Sequence, residues 1–202
     1  MKVTVYSDYV CPFCYLGEQS LENALKEINE EVEVEWKPFQ LRPEGTEPLS
    51  PKSSYIQQGW NFGVKPLAEK LGVDMVLPSM DPHPSTLLAH RGFLFAQSKG
   101  KGDDYAKAVL TAFWKYEKNI GDVNVLTDIA NEIGLPTNEF VEAINQTTND
   151  SEIQNPSFIN AVPTFIIGDT VLQGAQSKEA FLNALKKQST PQSGDFCGIE
   201  GC

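Results

Sequence analysis

Cys11-Pro12-Phe13-Cys14 sets two thiols two residues apart. That spacing closes a small disulfide reversibly when the backbone between the cysteines is held in a turn or the first turn of a helix. The chemistry it supports is thiol–disulfide exchange, with Cys11 attacking and Cys14 resolving. The reacting species is a thiolate, and the free N–H groups and dipole at a helix N-terminus favour one. Cys11 is therefore expected to ionise more readily than a free cysteine, whose pKa is ~8.5. Cys14, one turn further in, is expected to be more buried and less acidic. A second pair, Cys197 and Cys202, closes the chain across Gly198-Ile199-Glu200-Gly201. It follows a Ser-, Thr-, Pro-, Gln- and Gly-rich stretch at 189–194 that reads as a flexible tether. At about 3.3 Å per residue the tail extends over roughly 45 Å, enough to reach Cys11. Two readings of this pair stand together: a relay that exchanges with Cys11 and Cys14, and an exposed pair that only clips the tail.

The elements around the first pair are those such chemistry needs. Lys2-Val3-Thr4-Val5-Tyr6-Ser7 alternates apolar and polar residues as a half-buried strand does, and Pro12 suits the first turn of a helix. Leu21, Ala24, Leu25 and Ile28 continue that helix at i, i+3, i+4, i+7. Glu31-Val32-Glu33-Val34-Glu35-Trp36 alternates again, so about 38 residues read as a right-handed βαβ unit with a solvated acidic strand face. Prolines 38, 43, 48 and 51 then mark an exit, and the periodicity is helical as far as residue 160. One helix begins near Ser85 with Leu87, Leu88, Leu94 and Phe95 on a face. The next carries Tyr105, Ala108, Val109, Ala112, Phe113 and Tyr116, the third Leu126, Ile129, Ala130 and Ile133 with Gly134 as its stop, and the fourth starts at Thr137. Thr164-Phe165-Ile166-Ile167, a Gly168-Asp169 turn and Val171-Leu172 form a hairpin, and a closing helix follows Ser177. The fold class is α/β, in the order βα, β, helical insertion, ββ, α. The expected division is 1–40 and 161–188 as one domain, 41–160 as an inserted helical domain, and 189–202 as the tail.

Composition narrows the partners. With 202 residues and 41% apolar content the chain buries a substantial core without staples. A net charge of −11, from 16 basic and 27 acidic residues, argues against nucleic acid and anionic membrane surfaces. The first strand begins at residue 2 and no stretch is long enough to span a membrane, so a cytoplasmic location is expected. Four thiolates also suit a closed zinc site. The first pair is accounted for by its strand–helix setting, however, and the second lies on a terminus, so no metal is expected. His83 reads as a loop residue. His90 with Arg91 reads as a hydrogen-bonded pair holding the insertion to the rest. Tyr9, Tyr15, Trp60, Phe62, Phe93 and Trp114 are candidates for an apolar groove, although aromatics at helical spacing are mostly core.

These motifs together resemble a known family. Cys11-Pro12-Phe13-Cys14 after the first strand, Val162-Pro163-Thr164-Phe165 opening the hairpin and Gly174-Ala175-Gln176 before the last helix are similar to the thioredoxin-like fold of the DsbA family. Tyr6-Ser7-Asp8-Tyr9-Val10, Tyr15-Leu16-Gly17, Ala89-His90-Arg91 and Ile120-Gly121-Asp122 resemble its FrnE-like, or 2-hydroxychromene-2-carboxylate isomerase-like, branch. The resemblance spans roughly residues 2 to 188. It implies a disulfide oxidoreductase or isomerase with Cys11 as nucleophile, Cys14 as resolving thiol and Pro163 as a cis-proline. Pro12, Phe13, Val162 and Tyr15 would support the site, and Cys197 and Cys202 would be an auxiliary pair. It further implies protein disulfides or a small thiol as partners, with glutathione as a redox partner and no tightly bound cofactor. DsbA itself carries a histidine in the dipeptide. Phe13 offers no donor there, which implies a less oxidising disulfide. Glutathione-dependent isomerases of the superfamily carry serine in place of the first cysteine. A glutathione-dependent isomerase or transferase acting on a small aromatic or electrophilic substrate is the alternative, and a non-catalytic holdase is a further one.

Overall fold

The computed structural model describes residues 1–147 and 150–189. Its sheet is built around β1 (Lys2–Ser7), whose Val3, Val5 and Ser7 point inward as the alternation predicts. β2 (Glu33–Pro38) pairs parallel to β1 along its full length, from Lys2 opposite Glu33 to Ser7 opposite Pro38. β3 (Thr164–Ile167) runs antiparallel on the other side of β1, and β4 (Thr170–Gln173) returns from it through Gly168-Asp169, giving the order β2-β1-β3-β4. β2 lies two residues later than the alternation at 31–36 suggests. It is an edge strand, so Pro38 is tolerated at its end, and the later register matches all six residues of β1. The register also brings Glu35 to Lys2 and Lys37, at 3.0 and 2.8 Å.

Helix α1 (Pro12–Leu25) starts with Cys11 as its N-cap and Pro12 in its first turn. It is clasped from several sides. α8 (Lys178–Ser189), begun by Ser177 Oγ accepting the Ala180 N–H, packs along it. On another face Leu16 joins Val64 and Ala68 in a small cluster. These last two belong to a helical run that the sequence pattern did not resolve: α2 (Ser54–Gly59), a π turn at Trp60–Val64 and α3 (Lys65–Leu71), closed by Gly72 at φ +68°. Gly17 lets α1 lie directly on β3. A Cβ there would come 2.8 Å from the Phe165 ring and 3.3 Å from Pro163 Cγ.

The helices α4 (Leu87–Ser98), α5 (Gly102–Trp114), α6 (Val123–Glu132) and α7 (Thr137–Ile144) follow the expected spacings, with two corrections. Tyr116, expected on the buried face of α5, lies beyond the helix end and is exposed. The buried face of α4 is Ala89, Gly92, Phe93 and Ala96, while Leu87, Leu88, Leu94 and Phe95 are only half-buried. Small residues win because α4 approaches its neighbours closely: a Cβ on Gly92 would collide with the Tyr105 hydroxyl and come 2.9 Å from Phe140. One apolar cluster runs without a break from Val3 and Val5 through Tyr105 and Phe113 to Phe140 and Ile144. Among the described residues no helix is long and apolar enough to cross a membrane.

Candidate active site

The loop from Asp8 to Cys11 joins β1 to α1, and three separate parts of the chain hold it. Trp114 Nε1 on α5 donates to the Tyr9 carbonyl at 2.9 Å. Asp8 Oδ2 accepts the Leu41 N–H at 2.7 Å, just past β2. Asp8 Oδ1 lies 3.3 Å from His90 Nε2 on α4, and the His90 ring stacks obliquely on Tyr9 at 4.8 Å. Asp8 and His90 are both buried. His90 thus joins the helical region to the β1–α1 loop as expected. Arg91 instead holds Asp150 with two 2.7 Å bonds, so the two side chains act at different joints.

Fixed in this way, the loop delivers Cys11 to the head of α1, where its carbonyl accepts the Cys14 N–H at 3.1 Å. Both cysteines are thiols and both are sunk, Cys11 at 3% and Cys14 at 1% exposure. Cys11 Sγ faces the Val162 carbonyl at 3.6 Å, a contact between residues 151 apart in the chain. The Val162–Pro163 peptide bond is cis, as is Asp81–Pro82. Burial pushes the Cys14 thiol well up, and its neighbour Cys11 adds to this. The Ser7 hydroxyl and the Asp8 N–H act on the same sulfur in the opposite sense, favouring the thiolate.

The other expected residues separate into rim and interior. Phe13 is 37% exposed beside the dithiol. Tyr15 is buried, its hydroxyl donates to the Asp74 carbonyl at 3.5 Å, and burial pushes its pKa up to about 12, so it packs inside and lines no open groove. Tyr9, Phe93 and Trp114 are likewise core, Trp60 stacks on Trp114 at 6.5 Å, and Phe62 stands in solvent. A cleft of roughly 600 Å³ adjoins the site. Its walls include Val10, Arg42, Leu49, Met80 and His83, and it stops one residue short of Cys11. Burial lowers the pKa of His83, whose ring meets Phe113 edge-on at 5.4 Å. Cys197 and Cys202 lie outside the described residues. Among the described residues no group of three or more metal-ligating side chains is present.

Two polar residues escaped the sequence reading as contributors. Ser7 is buried under Cys14, and its Oγ makes no hydrogen bond of ordinary length. Glu18 lies one helical turn beyond Cys14 at 2% exposure, and burial raises its carboxyl to about 7. Its spacing from Cys14 and Leu21 on α1 was the available signal.

Over 197 residues the chain is 43% identical to the uncharacterized protein YwbO of Bacillus subtilis strain 168, covering 93% of this chain and 97% of that one. In fold it is similar to the probable DsbA oxidoreductase of Streptomyces coelicolor, with a TM-score of 0.79 at 23% identity over 100% of this chain and 98% of the other. A 2-hydroxychromene-2-carboxylate isomerase superposes with a TM-score of 0.75 at 16% identity, over 94% and 96% of the two chains. The cytosolic disulfide reductase DsbM of Pseudomonas aeruginosa, in a structure with glutathione, gives 0.71 at 16% identity, over 94% and 99%. The model of the DsbA-like thioredoxin domain matches residues 2–186, from the first residue of β1 into α8. With the dithiol at the head of α1 and that match across nearly its whole length, the chain belongs to the DsbA-like thioredoxin domain family, a family of thiol–disulfide oxidoreductases.

Proposed function

We propose that this chain exchanges disulfides through Cys11 as nucleophile and Cys14 as resolving thiol, with protein disulfides or a small thiol such as glutathione as partners. The observation that carries this reading is the 3.6 Å approach of Cys11 Sγ to the Val162 carbonyl beside Pro163. It sets the dithiol against a backbone segment able to pair with an extended substrate. Cys11 attacks a substrate disulfide, forms a mixed disulfide and releases one substrate thiolate. Cys14 then attacks Cys11 Sγ, forms the Cys11–Cys14 disulfide and releases the second. The substrate gains two electrons, and a small thiol returns them to the protein. Pro12 and Phe13 shape the entrance and Pro163 flanks the sulfurs. The upward push that burial and the neighbouring Cys11 give the Cys14 thiol supports its assignment to the second step rather than the first.

Cys197 and Cys202 act in this reading as an auxiliary couple. The last described helix ends beside Gly168, where a Cβ would meet the Gln188 side chain. Gly168 follows β3 at the end of the sheet opposite Cys11. The tail therefore has to travel the length of the sheet, which its roughly 45 Å reach allows. The sparse, paired use of cysteine supports a cytoplasmic setting. So does the fold likeness to DsbM, a cytosolic reductase solved with glutathione.

A glutathione-dependent isomerase or transferase is the second reading, favoured by the 600 Å³ cleft whose wall includes Val10. The deciding experiment is a redox titration in glutathione buffers with every disulfide mapped by mass spectrometry. A Cys11–Cys14 disulfide in equilibrium with the buffer supports exchange, and a bond between either of them and the tail pair supports the relay. One stable glutathione on Cys11 with Cys14 left free transfers the assignment to the second reading.

A further inference from the structure

Resolution requires a buried thiol to lose its proton. Cys14 is 1% exposed, so bulk water does not take that proton directly. Beneath it lies Ser7, itself 5% exposed, whose Oγ has no ordinary hydrogen-bond partner although buried hydroxyls nearly always find one. Ser7 also lines a cavity of about 10 Å³ whose other walls are Tyr9, Trp36, Lys37, Pro38, His90 and Phe93. That is the volume of one water.

We propose that Ser7 Oγ is the proton exit for Cys14, linking its sulfur to a water held in this cavity. The proposal rests on Cys14 being the resolving thiol. As Cys14 attacks Cys11 Sγ, the Cys11–Cys14 bond forms and the substrate sulfur departs with the electron pair. The Cys14 proton passes to Ser7 Oγ while the Ser7 hydroxyl proton passes to the cavity water, which passes one on to the solvent, so Ser7 and the water end as they began and the proton lost balances the thiolate released. The groups facing this path are Cys11 on α1, Asp8 and Tyr9 in the loop, Lys37 on β2 and His90 on α4. The upward displacement of the Cys14 thiol by burial, opposed by the Ser7 hydroxyl, agrees with this role. Ser7 is a catalytic residue in this scheme, since it exchanges a proton with the attacking Cys14 sulfur.

The test is stopped-flow reaction with 5,5′-dithiobis(2-nitrobenzoate), using the full chain with Cys197→Ser and Cys202→Ser so that two thiols report. The first thionitrobenzoate is released by attack of one thiol and the second by resolution. In Ser7→Ala the first release keeps its rate, while the second slows about tenfold or more at pH 7 and its pH midpoint rises by about a unit. Ser7→Thr, which keeps a hydroxyl, recovers most of the rate. In deuterium oxide the wild-type second release slows about twofold or more and the first does not, a readout that holds even if Ser7→Ala folds poorly. An unchanged second release in Ser7→Ala, or an isotope effect shared equally by both steps, overturns the proton exit. Absence of any second release in the wild type overturns instead the assignment of Cys14 as resolving thiol.

Discussion

Glu18→Gln should stabilise this protein, and more so as the pH rises. Glu18 is 2% exposed between α1 and β2, and burial raises its carboxyl from the ordinary 4.5 to about 7. Lys107 draws it down only in part, because that ammonium is shared with Glu22 and Asp103 at 2.7 and 2.8 Å. The folded state holds the Glu18 proton more tightly than the unfolded chain does. Its contribution is therefore fully favourable below pH 4.5 and is lost as the pH climbs through about 7. A displacement from 4.5 to about 7 corresponds to about 3 kcal/mol between these limits. Glutamine keeps the shape and an oxygen for the Gln19 amide, which now donates at 2.6 Å, and it carries no charge to desolvate. Urea unfolding of the reduced protein from pH 4.5 to 8.5 measures the effect. The two proteins should coincide at the acid end, and the variant should gain about 2–3 kcal/mol by pH 8, or roughly 5–10 °C in Tm. The difference between the curves cancels every other titrating group. A difference that does not vary with pH, or a variant less stable at pH 8, refutes the reasoning.

Other outcomes follow from the site. Cys14→Ser should accumulate a mixed disulfide on Cys11 that mass spectrometry detects after exposure to an oxidised substrate; rapid turnover by this variant would remove Cys14 from the second step. Gly17→Ala should lower stability by about 1–3 kcal/mol in urea unfolding, since its Cβ meets a Phe165 ring fixed against Phe181 at 4.7 Å. A gain near the ~1 kcal/mol of helix propensity would show that the ring yields. Phe13→His should raise the reduction potential of the pair by tens of millivolts in a glutathione titration, because a donor beside the dithiol favours the reduced, ionised form. An unchanged potential would mean that position 13 does not reach the sulfur.

How much was legible beforehand depends on the range of the interaction. Alternation in β1 and β3 and the i, i+3, i+4 spacing in α5, α6 and α7 are local signals, and these elements lie where the pattern puts them. Local signal failed at α2, α3 and the π turn between them, where Gly59, Gly63 and Pro66 interrupt any periodicity and packing on Leu16 and Trp114 decides the outcome. It misled at α4, where leucine count pointed to one face and close approach to Tyr105 and Phe140 selected the face with glycine and alanine. The dithiol was visible at once. Its contact with Val162 was accessible only through family resemblance, and the pairing of Asp8 with His90, 82 residues away, was beyond any pattern in the chain. Ser7 and Glu18 were missed because an isolated polar residue in a strand or helix reads as surface until burial is known.

The placement of β1 in the interior of the sheet sets when the site can close. One neighbour of β1, β2, is made soon after it, whereas the other, β3, starts only at Thr164. A ribosome therefore releases Cys11 and Cys14 long before the segment that will face them. For most of synthesis the two thiols belong to an open half-sheet. The contact between Cys11 and Val162 is thus a property of the closed chain alone, made when the last hairpin docks.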